Sequence, residues 1–164
     1  MTMEKMNGRE KYAAILLLVI SLFLLAWQVI ELSSAYTDTY RTVQGAVLLS
    51  TKDVTDNLHT FLLILLGLVG SIQLLRKKLS GWVCSVPVLI LYCLVAIYGL
   101  IAFSSMATFD LSFILIITGV VLLLLAIAFL FFPGTLKKYR VSKKAILPTL
   151  ILFMALLSIT FFLQ

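Results

Sequence analysis

Charge is scarce in this chain, and so are the residues on which catalysis and metal binding usually rest. Only 12% of its 164 residues are charged, against 62% hydrophobic, and a soluble domain of this length carries about twice that charged fraction. A membrane protein is therefore the starting class, in keeping with the mean hydropathy of +1.15. There is one histidine, His59, so haem held by two histidines of a single chain is excluded. The sequence has no H-E-x-x-H, no G-x-S-x-G and no glycine loop for phosphate. No enzymatic activity, catalytic residue, cofactor or metal site is expected. The two cysteines, Cys84 and Cys93, fall nine positions apart in one apolar run. On a helix that is about 13 Å of rise, beyond the ~7 Å between Cα atoms that a disulfide spans, so both read as small packing residues.

Acid is scarcer than base. Lys and Arg number 13 against 7 Asp and Glu, for a net charge of +6. In a soluble chain that surplus would raise nucleic acid as a partner. Here the basic residues stand in short blocks between apolar runs, without aromatic interleaving, so membrane topology accounts for them and no nucleic acid is expected.

What is present is a series of apolar runs. Residues 12–32 carry no charge before Glu31, and at 1.5 Å per residue they cross a hydrocarbon core of ~30 Å. Further spans are read at 58–75, 83–103, 113–132 and 145–163. The fold class expected is all-α: a polytopic bundle of five transmembrane helices forming a single membrane domain. A basic start, an apolar run and Ser33-Ser34-Ala35 also resemble a signal peptide, but the run is longer than the ~7–15 residues of such a segment. Ser80-Gly81 is read as the turn into the third span, with Trp82 at the interface. Pro87 and Pro148 fall in the first turns of their helices, where a missing N–H costs least. Pro133-Gly134 stops the fourth span.

The one long stretch that is neither apolar nor purely basic is 31–60. Leu32, Tyr36, Tyr40, Val43 and Val47 recur at helical spacing, and Asp38 and Arg41 can pair across i, i+3. The first helix should therefore continue past the bilayer and weaken near Gly45. Ser50-x-x-Asp53 has the spacing of a helix cap, and Asp53 and Asp56 oppose the positive end of the macrodipole. The second helix should start near Thr51. Together these make an extracytoplasmic helical hairpin over about residues 33–57.

Orientation follows from charge. Lys5, Arg9, Lys11, Arg76, Lys77, Lys78, Lys137, Lys138, Arg140, Lys143 and Lys144 share one side with Glu4 and Glu10, a net +9. Arg41 and Lys52 share the other with Glu31, Asp38, Asp53, Asp56 and Asp110, a net −3. The positive-inside rule puts the first face in the cytoplasm, the N-terminus with it and the C-terminus outside. Short loops point to a bacterial cytoplasmic membrane.

The functional candidates follow. Tyr36, Tyr40 and Val43 form an apolar face above the bilayer that wants covering. With Glu31, Asp38, Arg41, Asp53, Asp56 and His59 they are the partner-binding candidates. Asp53, Asp56 and His59, three apart and opposite Glu31, also admit a proton-responsive or metal site, although capping explains both aspartates. Ion-coupled transport is disfavoured, because no charge lies deep in a span. Ser21, Gln28, Ser71 and Gln73 are the polar residues inside the spans, explained by helix–helix hydrogen bonds; Gly67-x-x-x-Ser71 would let another helix approach. The reading is a non-enzymatic accessory, structural or immunity-type component embedded in lipid. Another membrane protein or a second copy is its expected partner. The alternative is a subunit of an oligomeric transporter for a small or lipophilic molecule.

Overall fold

A computed structural model describes residues 8–42, 51–104, 111–139, 141 and 143–162, with side chains for 8–33, 58–102, 113–139, 141 and 145–160. Among them the chain is helical, without strands, in the order α1 (Gly8–Thr42), α2 (Thr51–Leu75), α3 (Leu79–Ser104), α4 (Leu111–Phe131), α5 (Pro133–Lys138) and α6 (Lys143–Phe162). Four helices contain stretches long and apolar enough to cross a membrane: Gly8–Ser33, Leu58–Leu75, Leu79–Ala102 and Phe113–Phe131. They fit a multi-pass membrane protein. The fifth apolar helix, Ala145–Thr160, is shorter.

α1 packs on α2 and α4, and α3 packs on the same two, so the four close into an up-and-down ring. α6 lies outside the ring against α3. Lipid tails are as apolar as leucine, so close approach of backbones has to hold such a bundle together. The sequence supplies it with small residues. On α1, Glu10, Ala13, Ala14, Leu17, Ser21 and Gln28 are buried along one stripe. A Cβ on Gly67 would collide with Ser21 of α1, and one on Gly70 would stand 2.9 Å from the Ser85 hydroxyl of α3. The buried core joins Ala13, Ala14, Leu17, Leu74, Trp82, Leu89, Leu123, Ala126 and Leu130. These residues lie in the half of each span nearest one end of the ring, while buried Ile64 and Cys93 lie past the middle of theirs. At this end α1 begins, α2 turns into α3, and α4 leads through α5 to α6; it is called the basic end below. In the other half Trp27, Tyr98, Ile114 and Leu115 are exposed.

Several turns differ from the sequence reading. The α2–α3 reversal is made at Lys77, whose φ is 59°, and not at Ser80-Gly81. Lys78 N donates to Gln73 O at 3.0 Å and Lys77 N to Leu74 O at 2.9 Å, which is a Schellman stop with lysine in the place glycine usually takes. Helix α3 therefore starts at Leu79, four residues earlier than expected. Gly81 lies inside it, where its missing side chain lets the backbone of Gln73 and Leu74 come close. Pro87 is consequently interior to α3 and Pro148 to α6, each removing one ladder bond. Pro133 does end α4, because the residue before a proline is pushed out of the helical region and Phe132 is extended (φ −62°, ψ 136°). The chain then re-enters helix at once as α5.

Candidate functional site

The basic end is assembled from the orphan carbonyls of two helix C-termini. The last four C=O groups of a helix have no partner within it, and such groups are costly at the edge of a bilayer. In α2, Ile72 O accepts from Arg76 N at 3.0 Å, while Leu74 O accepts from both Lys77 N and the Tyr139 hydroxyl, the latter at 3.1 Å. In α4, Leu130 O accepts from the Trp82 indole at 3.1 Å and Phe129 O from the Thr135 hydroxyl at 2.9 Å. Trp82 is thus a buried anchor, 2% exposed, and not the interfacial belt residue its position suggested. Its ring also meets Phe131 edge to face at 5.8 Å.

One ion pair completes this end. Lys138 Nζ donates to Glu10 Oε2 at 2.8 Å, with the carboxylate side chain 2% exposed and the lysine 13%. It ties α5 to α1 across the chain. Arg9 lies over the Phe132 ring, 4.1 Å from its centroid. Burial, and secondarily the charge of Glu10, push the Tyr139 phenol well above its ordinary pKa, so it remains the donor that Leu74 O requires. The sequence reading missed this arrangement. The signal available was Glu10 itself, one of two acids among eleven cations on its side, placed where an apolar run begins.

Between the ends lies a line of buried polar atoms. Ser85 Oγ and Gln73 Oε1 are buried without a hydrogen bond to the protein, and Ser21 Oγ and Tyr92 OH are buried beside one another. Tyr92 OH would be 3.3 Å from a Cβ on Gly67, in the same notch that receives Ser21. Ser71 instead donates to its own helix, to Leu68 O at 2.8 Å, and Gln28 is buried on α1. Of the four intramembrane candidates, Ser21 and Gln73 therefore belong to this line, joined by Ser85 and by Tyr92, which had not been singled out.

At the opposite end, α1 runs unbroken to Thr42 and α2 begins at Thr51. Glu31 is exposed. The side chains of Tyr36, Asp38, Tyr40, Arg41, Asp53 and Asp56, and all of Val43, lie outside the described residues. His59 Nε2 is 3.1 Å from Thr160 Oγ1. The Thr160 hydroxyl has one hydrogen and gives it to Leu156 O at 2.8 Å, so His59 Nε2 carries a proton and donates to Thr160. That assignment directs this nitrogen to α6. Among the described residues no three His, Cys, Asp or Glu side chains form a metal cluster.

The cavity of note lies elsewhere. A groove of about 400 Å³ opens between α3, the end of α4, α5 and α6, with Trp82, Val86, Ile90, Leu136, Ile146 and Phe153 among its walls. None of Ser21, Gln28, Ser71 or Gln73 lines it. No protein-family model, curated protein or solved structure matches this chain.

Proposed function

We propose that the chain is a non-enzymatic membrane component of five transmembrane helices that works by gripping a partner, another membrane protein or a second copy, at its outward end. The observation that carries the reading is the length of α1. Its 35 residues extend about 52 Å, some 20 Å more than the ~30 Å hydrocarbon core. The apolar part ends at Ser33, so nine of these residues, about 13 Å of helix, continue past it at the end away from the basic residues. α2 likewise begins seven positions before its apolar stretch starts at Leu58. Two helical segments therefore project from the same end, and the exposed Trp27, Tyr98 and Ile114 lie in the half of the bundle beneath them.

Two observations support five crossings. α6 has 20 residues, about 30 Å, and it runs from the groove at the basic end to the His59 contact at the other. With eleven of the 13 basic residues on the side of the N-terminus, that side is the cytoplasm and the C-terminus lies outside, in a bacterial cytoplasmic membrane.

The test is to replace Tyr36, Tyr40 and Val43 together by Ser in the full chain and purify it from native membranes in mild detergent. A stoichiometric partner, or a homo-oligomer, present in the wild type and lost in the variant supports the reading. An unchanged complex, or a wild-type monomer with nothing bound, ends it.

The second reading, a transporter subunit, draws on the buried line of Ser21, Ser85, Tyr92 and Gln73. An unpaired buried polar group costs about 1–3 kcal/mol, so water or a solute passing between α1, α2 and α3 would relieve Ser85 and Gln73. With Cys84 and Cys93 replaced, Ser21→Cys and Ser85→Cys should then react with a membrane-impermeant thiol reagent; unreactive thiols describe a sealed bundle.

A further inference from the structure

We infer that the groove between α3 and α6 is a binding site for one anionic phospholipid of the leaflet at the basic end. The inference rests on membrane integration alone and is independent of the partner reading. The depth of the groove is the first argument. Its walls extend along α3 from Trp82 to Ile90 and along α6 from Ile146 to Phe153, about 12 Å and 10 Å of helix rise. A leaflet's share of the hydrocarbon core is about 15 Å, so the groove starts at the interface and stops before the midplane. The walls offer little to a polar ligand. The Trp82 indole is spent on Leu130 O, and the Thr149 hydroxyl donates to Ala145 O at 2.8 Å. What fits a dry, leaflet-deep slot of about 400 Å³ is an acyl chain.

Charge decides the headgroup. Leu136, Val141 and Ile146 all border the groove, and the chain between them carries Lys137, Lys138, Arg140, Lys143 and Lys144. Lys138 is engaged by Glu10. Lys137 is exposed on α5, and Lys143 and Lys144 open the helix whose next residues enter the groove. Cations in the chain segment that borders the groove, and hydrocarbon walls below, complement a lipid whose phosphate bears uncompensated negative charge. A zwitterionic lipid would satisfy the walls alone. Each lysine near an anionic surface strengthens binding roughly fivefold, so three provide a preference on the order of 100-fold.

The experiment uses the full chain, purified and delipidated, titrated with phosphatidylglycerol or with phosphatidylcholine of the same acyl chains and read by native mass spectrometry. One phosphatidylglycerol should be retained, on the order of 100-fold more tightly than phosphatidylcholine, and the preference should shrink as salt rises. The triple variant Lys137→Gln, Lys143→Gln, Lys144→Gln should lose most of this preference. Leu150→Trp, which fills the groove from an exposed position, should lose both lipids while keeping the wild-type helical spectrum. Equal affinities in the wild type overturn the headgroup assignment. Undiminished phosphatidylglycerol binding by Leu150→Trp overturns the site. A lipid-free dimer in which Leu150→Trp breaks the dimer gives the groove to a second copy and overturns the inference altogether.

Discussion

The two ends of this bundle are built on different terms. At the basic end, helix termini that would leave carbonyls orphaned are closed by Trp82, Thr135 and Tyr139. An ion pair of 2.8 Å joins α5 to α1, and the core is gathered beneath. At the other end His59 and Thr160 pair α2 with α6, and α1 and α2 run on as helix beyond their apolar stretches. One end thus fixes helix spacing, and the other carries the helical length beyond the apolar stretches. The proposed partner grip would need this division, because projecting helical segments are held at a defined position only if their base does not shift.

The largest expected effect breaks the base. Glu10→Ala removes the buried carboxylate that accepts from Lys138, a loss of up to about 3–5 kcal/mol for such a pair, seen as a large fall in thermal midpoint in detergent. Glu10→Leu with Lys138→Met, which removes both charges and keeps the volume, should recover most of it. If the single variant melts like the wild type, the ion pair is not what holds α5 to α1.

Next comes a comparison within α3. A Cβ on Gly81 would fall on the backbone of Gln73 and Leu74, which cannot yield as a side chain can, whereas one on Gly99, toward the other end, meets nothing within 4 Å. Gly81→Ala should cost about 1–3 kcal/mol or more through overpacking. Gly99→Ala should be neutral or stabilise by up to about 1 kcal/mol, since glycine is a poor residue inside a helix. Equal midpoints for the two variants would mean that the ends do not differ in packing.

Tyr139→Phe is smaller, about 1 kcal/mol for the bond to Leu74 O, and carries a pH signature. The folded phenol is held above its ordinary pKa by burial and then by Glu10, so it keeps its proton where the unfolded chain releases it, above about pH 10. The stabilisation is complete below that pH and declines as pH climbs toward the folded value. The alkaline fall in midpoint should be shallower for Tyr139→Phe than for the wild type.

The sequence was readable where one force acts alone. Apolar length placed the four long spans, because nothing else makes eighteen or more such residues run together. The start of α2 at Thr51 is legible from the cap spacing of Ser50 and Asp53, and the run of α1 as helix past its apolar stretch from local periodicity. What failed depended on contacts across the chain. Ser80-Gly81 looked like a turn, since glycine serves turns and close approach equally well, and only the position of α2 decides between them. Trp82 looked interfacial because its indole partner, Leu130 O, lies 48 residues away. Lys138 was counted as one more topological cation until Glu10 stood beside it. The partner-binding candidates of the hairpin were chosen on one helix face, and periodicity cannot say what covers that face.

The smallest effect tests the looser end. Thr160→Val keeps the shape and removes the hydroxyl that accepts from His59. His59 is only partly buried, so water can replace the lost partner, and the cost should stay below about 1 kcal/mol. A loss as large as that of Glu10→Ala would erase the contrast between the ends. The same variant bears on the proton-responsive reading of Asp53, Asp56 and His59. His59 donates through Nε2, a role that both the neutral Nε2–H tautomer and the imidazolium can fill, so titration across about pH 5 to 8 need not break the bond to α6. A midpoint that shifts over this range in the wild type, and ceases to shift in His59→Ala, would place the responsive partner among the acids of the hairpin and give the outward end a chemistry of its own. A wild-type midpoint indifferent to pH and to added metal removes that reading, and leaves His59 as the pin that holds the far end of α6 against α2.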